Sequence, residues 1–138
     1  MNKYLAKIIA TDKEGLQMIS ACSSGAKVKV SDIKYLETNK VFLLSIERIK
    51  VENENEDKKV NSICRFDFVD KVKSKNIDQS NQELVLELVG IDYLKNNDVY
   101  EINLFFSNNA HIALTAETIE AILEDQSETK QSRDEDFR

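Results

Sequence analysis

Residues 60–69, VNSICRFDFV, carry the clearest structural signal in the chain. Cys64, Phe66 and Phe68 stand at every second position, and the charged Arg65 lies between the first two of them. A period of two is typical of a β-strand with one face in the core and the other in solvent. The segment therefore predicts a half-buried strand with Cys64 as a small core residue.

Further segments on both sides of this strand share its character. Residues 41–51 are rich in β-branched side chains, and residues 84–89 place an apolar residue at every second position. Residues 100–114 show the same alternation around a tight turn at 107–109, which predicts a hairpin. Because strand follows strand with short connections, we predict a mostly antiparallel sheet.

Two segments have helical spacing instead. Thr11 and Glu14 stand at capping-box spacing before an apolar stripe, and Gly25 marks the end of this N-terminal helix. Near the C-terminus, Thr115 is a favourable N-cap residue. The apolar residues that follow it at helical spacing are Ile119, Ile122 and Leu123. They predict a second helix.

The predicted fold class is α+β. It consists of a single, mostly antiparallel and strongly bent sheet or split barrel, with an N-terminal helix and a C-terminal capping helix. This outline is similar to that of the pleckstrin-homology-like barrels. The length suits one globular domain over residues 1–125. Residues 126–138 are polar and charged with a lone Phe137, which predicts a disordered tail.

The composition argues against several classes of function. The 138 residues carry a net charge of −6, and an acidic chain repels a phosphate backbone, so we expect no nucleic-acid partner. No apolar run approaches the ~20 residues of a membrane span, and the N-terminal residues lack the features of a signal peptide. We therefore expect a cytoplasmic protein with no membrane partner, whose Cys22 and Cys64 are reduced thiols.

Five stretches of the chain resemble a known family. They are LAKIIATDKEGLQMISA, KVKVSDIKYL, VFLLSIERIKVE, RFDFVDKVKSKNID and INLFFSNNAHIALTAETIEAILED, and together they span most of residues 5–125. The family they resemble is uncharacterised, mainly alphaproteobacterial, and described only as a domain of unknown function. The resemblance implies a fold and a cytosolic location, and it implies no activity.

The long strand of this family tends to contain an Asn-Arg pair, an aromatic residue and a Trp-Glu pair. Arg48 and Glu52 match that pattern in this chain. Glu47, Ile49 and Val51 stand where the family has the Asn, the aromatic residue and the Trp. A binding site built on those three family residues would therefore be altered here.

The arginines are the candidate binding residues. The chain has 15 lysines and only 4 arginines, so an arginine within a strand points to a need for a planar, bidentate donor. The candidate set is Arg48, Glu52, Arg65 and Asp67. Two interpretations remain open: cross-strand ion pairs of little energetic weight, or a pocket for an anion or a peptide carboxylate.

The sequence indicates no catalytic residue, metal ligand or cofactor. His111 is the only histidine, and its alternation with Ile112 places it on the solvated face of a hairpin. No nucleophile or metal-ligand spacing accompanies it. We therefore predict a non-enzymatic interaction or regulatory module that binds a partner protein at a sheet edge or groove. The alternative is a small-molecule or anion-binding sensor, or a weak enzyme, that uses Arg48 and Arg65.

Overall fold

Ten β-strands and one α-helix make up the part of the chain that the computed structural model describes, residues 5–53 and 56–128. Side chains are described over residues 5–49 and 59–126. Short 3₁₀ turns lie at Val30–Asp32, Glu37–Asn39 and Ser107–Asn109. The elements are β1 (Lys7–Ala10), α1 (Lys13–Ser23), β2 (Lys27–Lys29), β3 (Ile33–Leu36), β4 (Val41–Asn53), β5 (Glu56–Phe66), β6 (Val69–Lys75), β7 (Val85–Asn96), β8 (Val99–Phe106), β9 (His111–Ala116) and β10 (Ala121–Glu128).

Every recorded strand pairing is antiparallel, as the short connections predict. The order is β1-β10-β5-β4-β2-β7-β8-β9-β6, and β3 pairs with β4 beside β2. The sheet does not close into a barrel. The prediction of an α+β fold with a mostly antiparallel sheet is therefore confirmed, and the pleckstrin-homology-like outline is not confirmed.

The N-terminal helix forms as predicted, but its cap lies one residue later. The Asp12 carboxylate, not the Thr11 hydroxyl, accepts a hydrogen bond from the Gly15 N–H at 2.8 Å. Leu16 and Ile19 form the buried stripe. The helix packs against β1, β10, β4 and β7 and so lies over the inner face of the sheet.

The predicted C-terminal capping helix is wrong, because residues 121–128 form β10. Ile119, Ala121, Leu123 and Asp125 are buried, which is a period of two and not of 3.6. β10 pairs with both β5 and β1, and these long-range ladders outweigh the local helical pattern. The strand continues to Glu128, three residues beyond the predicted domain boundary. Residues 129–138 of the predicted tail lie outside the described residues.

The core is formed by the inward rows of the sheet together with α1. Phe42 and Phe66 pair across β4 and β5 with ring centroids 6.3 Å apart, and Cys64 is buried beside them. Phe68 departs from the predicted row. β5 ends at Phe66, and Phe68 has φ of 60° and a side chain that is 43% exposed. The left-handed backbone thus turns the chain out of the strand before the row reaches Phe68.

Candidate functional site

Two of the candidate binding residues lie on opposite faces of the sheet. Arg48 is opposite Val60 in the β4–β5 ladder and shares the inner face with the buried Ile46. Arg65 is opposite Leu43 and lies between two buried residues, so it belongs to the outer face. The two guanidinium groups therefore do not converge on one pocket.

Arg48 forms a buried bidentate ion pair with Asp125. Its Nε donates to Asp125 Oδ1 at 3.1 Å and its Nη2 donates to Oδ2 at 3.0 Å. Their side chains are 8% and 0% exposed. Ser62 Oγ donates to Oδ1 at 2.6 Å, and the Ala6 N–H donates to Oδ2 at 2.8 Å. This network ties β4, β5, β10 and the segment before β1 into one unit.

The network sets the protonation state of Asp125. Burial of the carboxyl raises its pKa, but the hydrogen bonds from Ser62 and Ala6 and the charge of Arg48 outweigh this effect and lower the pKa below the usual range. Asp125 is therefore ionised and paired at neutral pH. The Arg48 guanidinium is thus held in a buried ion pair within the sheet.

We expect this carboxylate to make the protein sensitive to acid. A depressed pKa adds stability that is complete above the unfolded pKa of about 3.9 and is lost as the pH falls through the folded pKa. Between about pH 5 and pH 2, the wild type should therefore lose more free energy of unfolding than Asp125→Asn. Urea denaturation at each pH measures the difference. Equal losses in the two proteins would contradict the assignment.

Arg65 and Asp67 do not join this network. Arg65 Nε donates to Asp67 Oδ1 at 2.9 Å, and the Arg65 side chain is 50% exposed, so the pair is a surface ion pair. The side chain of Glu52 lies outside the described residues. Arg48, Arg65 and Asp67 therefore do not form a single site.

His111 and Cys64, the residues considered for catalytic chemistry, both contact neighbouring side chains of the sheet. His111 Nε2 lies 2.8 Å from Asn103 Oδ1, and its ring stacks on Phe105 with centroids 5.1 Å apart. Burial raises the pKa of the Cys64 thiol to about 12, so it stays protonated and unreactive at neutral pH. Within residues 5–49 and 59–126, no three His, Cys, Asp or Glu side chains group as a metal site would require.

A pocket lies between β3 and β6. Its volume is about 330 Å³, which lies at the lower end of the size range of ligand pockets. None of its lining residues is charged. They are Val30, Ile33, Tyr35, Phe42, Val72, Ser74, Ile77, Gln79, Gln82 and Ile112. The sequence could not indicate this pocket, because its walls come from the 3₁₀ turn at Val30–Asp32, β3, β4, β6, β9 and the loop before β7.

One end of the gap between β3 and β6 is closed by hydrogen bonds. Tyr35 Oη donates to the Val69 carbonyl at 2.8 Å, and the Val69 N–H donates to the Lys40 carbonyl at 2.8 Å. Lys40 Nζ also binds Asp70 at 2.9 Å and Glu117 at 3.0 Å, and these hydrogen bonds raise the pKa of Lys40. Beyond this closed end, β3 and β6 have no strand between them among the described residues.

The free edge of β6 presents backbone groups toward this gap. The Phe106 N–H donates to the Ala110 carbonyl at 2.9 Å, which fixes the bonded pairs of the β8–β9 ladder. Hydrogen-bonded and non-hydrogen-bonded residue pairs alternate along an antiparallel ladder, so the backbone N–H and C=O of Ala113 point toward β6. The backbone groups of Lys73, which lies opposite Ala113, therefore point toward β9. The backbones of Val72 and Ser74, on either side of that residue, are therefore directed toward the free edge.

Comparison with known proteins identifies the family of this chain. A family model described as "Protein of unknown function (DUF2948)" matches residues 6–136 of the chain. The predicted resemblance to a domain of unknown function is thus confirmed. No curated protein and no solved structure matches the chain. No helix in the described part of the chain is long and apolar enough to span a membrane.

Proposed function

We propose that this chain, which belongs to the family of proteins of unknown function DUF2948, is a non-enzymatic module that binds an extended segment of a partner protein along β6. One observation carries the proposal: an uncharged, mainly apolar pocket lies directly beside a free strand edge. The predicted cytoplasmic location remains part of the proposal.

The two features suit one ligand. An extended segment added to a sheet edge gains affinity from backbone hydrogen bonds and specificity from pockets for alternate side chains. The backbones of Val72 and Ser74 are directed toward the edge, and their side chains line the pocket. One bound strand would therefore satisfy the edge and bury an apolar side chain in the same register.

The alternative function, an anion sensor or weak enzyme that uses Arg48 and Arg65, receives less support. Arg48 donates to Asp125 and Arg65 donates to Asp67, on opposite faces of the sheet. An anion site needs converging donors. A pocket without a charged lining residue suits an apolar side chain better than a free anion.

Blocking the edge or the pocket should abolish binding. Peptides selected from a random-sequence display library on the immobilised protein would be measured by fluorescence anisotropy. Ser74→Phe should fill the pocket, and Ser74→Pro should remove the edge N–H while sparing the bonds to β9. We expect each change to weaken binding at least about tenfold, which corresponds to the loss of about one good contact.

The matched control is Ser45→Phe, which places the same side chain at an exposed position of β4 away from the pocket. It should bind the selected peptides like the wild type, and thermal melts should show that all variants fold. Selected peptides that bind Ser74→Phe as tightly as the wild type would place the site elsewhere. Failure to select any peptide would also count against the proposal.

A further inference from the structure

We infer that the segment bound at β6 is acidic, with Asp or Glu alternating with apolar residues. This inference rests on the proposed function and specifies the chemistry of the partner. It follows from a row of lysines on one side of the edge strand and the uncharged pocket on the other. Every second residue of an added strand would face the lysines, and the residues between them would face the pocket.

The outward side of β6 is a row of three lysines, Lys71, Lys73 and Lys75, all of them exposed. They stand at every second position, so they project from the same face about 7 Å apart. The row is a local concentration of positive charge in a chain whose net charge is −6.

The neighbouring side chains do not neutralise the row. In the β6–β9 ladder the three lysines lie opposite Thr115, Ala113 and His111, which carry no carboxylate. The acidic residue of β6, Asp70, binds Lys40 at 2.9 Å at the closed end of the gap. Glu117 binds the same Lys40 at 3.0 Å. These two carboxylates therefore bind Lys40 and not the lysine row.

The register of an added strand brings its acidic residues to these lysines. The backbone N–H and C=O of Lys73 are used by β9. A residue of the added strand opposite Lys73 therefore forms a non-hydrogen-bonded pair with it, and in such pairs the side chains are closest. Opposite charges in such cross-strand pairs are favourable. The residues opposite Val72 and Ser74 share their inward direction, where the pocket favours apolar side chains.

The same row argues against a second copy of this chain as the occupant. Pairing β6 with β6 would set lysine rows against each other, and like charges in facing positions are unfavourable. Lysines on an edge strand are a common protection against such self-pairing. An acidic segment converts that repulsion into attraction, so the partner is a different chain.

Synthetic peptides with a fluorescent label test the inference. The probes are a peptide of four Asp-Leu repeats, the same peptide with Lys in place of Asp, and a block peptide with all Asp before all Leu. The alternating acidic peptide should bind the wild type about tenfold more tightly than either of the others. Its affinity should fall as the salt concentration rises.

Charge reversal supplies the decisive comparison. Lys73→Glu should reverse the preference, so that the Lys-Leu peptide binds more tightly than the Asp-Leu peptide. The control Lys13→Glu makes the same change of charge at an exposed position of α1 and should leave the preference unchanged. Melting temperatures of both variants would verify that the sheet is intact.

The outcomes separate this inference from the proposed function. Loss of binding in Ser74→Phe with an unchanged preference in Lys73→Glu would retain the edge site and overturn the acidic pattern. Unchanged binding in both variants would overturn both. Sedimentation that shows self-association through β6, or displacement of the Asp-Leu peptide by an oligothymidine, would identify another occupant and overturn the inference.

Discussion

Asp125→Ala should lower the free energy of unfolding by about 3–5 kcal/mol, because it leaves a buried guanidinium without its carboxylate. Arg48 donates two hydrogen bonds to Asp125, and its side chain is only 8% exposed. The substitution also removes the acceptor of the Ser62 hydroxyl and of the Ala6 N–H. Urea denaturation at neutral pH measures the loss.

The matched control is Asp67→Ala, which breaks the pair with Arg65. The guanidinium of Arg65 is half exposed, so water replaces the lost carboxylate and the cost should be about 1 kcal/mol or less. Combining Asp125→Leu with Arg48→Met should be less destabilising than Asp125→Ala alone, because no unpaired buried charge remains. Equal losses of free energy of unfolding from Asp125→Ala and Asp67→Ala would contradict the conclusion that burial makes the Arg48–Asp125 pair the more important one.

The strands that follow local alternation were predictable from the sequence. Residues 60–66 and 100–114 place apolar and polar residues at alternate positions, and the structure forms β5, β8 and β9 there. The N-terminal helix was equally predictable, since its apolar stripe is local, although its N-cap is Asp12 and not Thr11. In these segments, propensity and tertiary environment favour the same conformation.

The C-terminal strand shows where local pattern fails. Ile119, Ile122 and Leu123 satisfy helical spacing, and Ile119, Ala121 and Leu123 also satisfy strand spacing. A short apolar segment cannot decide between the two periods. The choice is made by β5 and β1, whose residues lie far away in the sequence and pair with both sides of β10.

The candidate site was predictable only in part, for the same reason. Arg48 stands out in a lysine-rich chain, but its partner Asp125 lies 77 residues away. A signal for that partner was present: Asp125 continues the alternation of Ala121 and Leu123, so a strand would place it inward. The pocket beside β6 had no comparable signal. It lies in the gap between β3 and β6, and only the strand order shows that these two strands are neighbours there.

Phe66→Ala should cost about 3–5 kcal/mol of the free energy of unfolding, the usual loss for a buried aromatic side chain. Phe66 is fully buried, pairs with Phe42 across β4 and β5, and lies opposite Ala121 of β10. Its removal leaves a cavity between three strands. The rigid ladders on both sides limit how far the surrounding side chains can relax into that cavity.

Phe68→Ala, two residues further along the chain, is the matched control. It removes the same side chain from a position that is 43% exposed and beyond the end of β5, so it should cost about 1 kcal/mol or less. Denaturant midpoints of the two variants give the comparison. Sequence alternation alone assigns both phenylalanines to one buried row, whereas the left-handed turn at Phe68 separates them. Equal losses would show that Phe68 belongs to the buried row and would contradict the prediction.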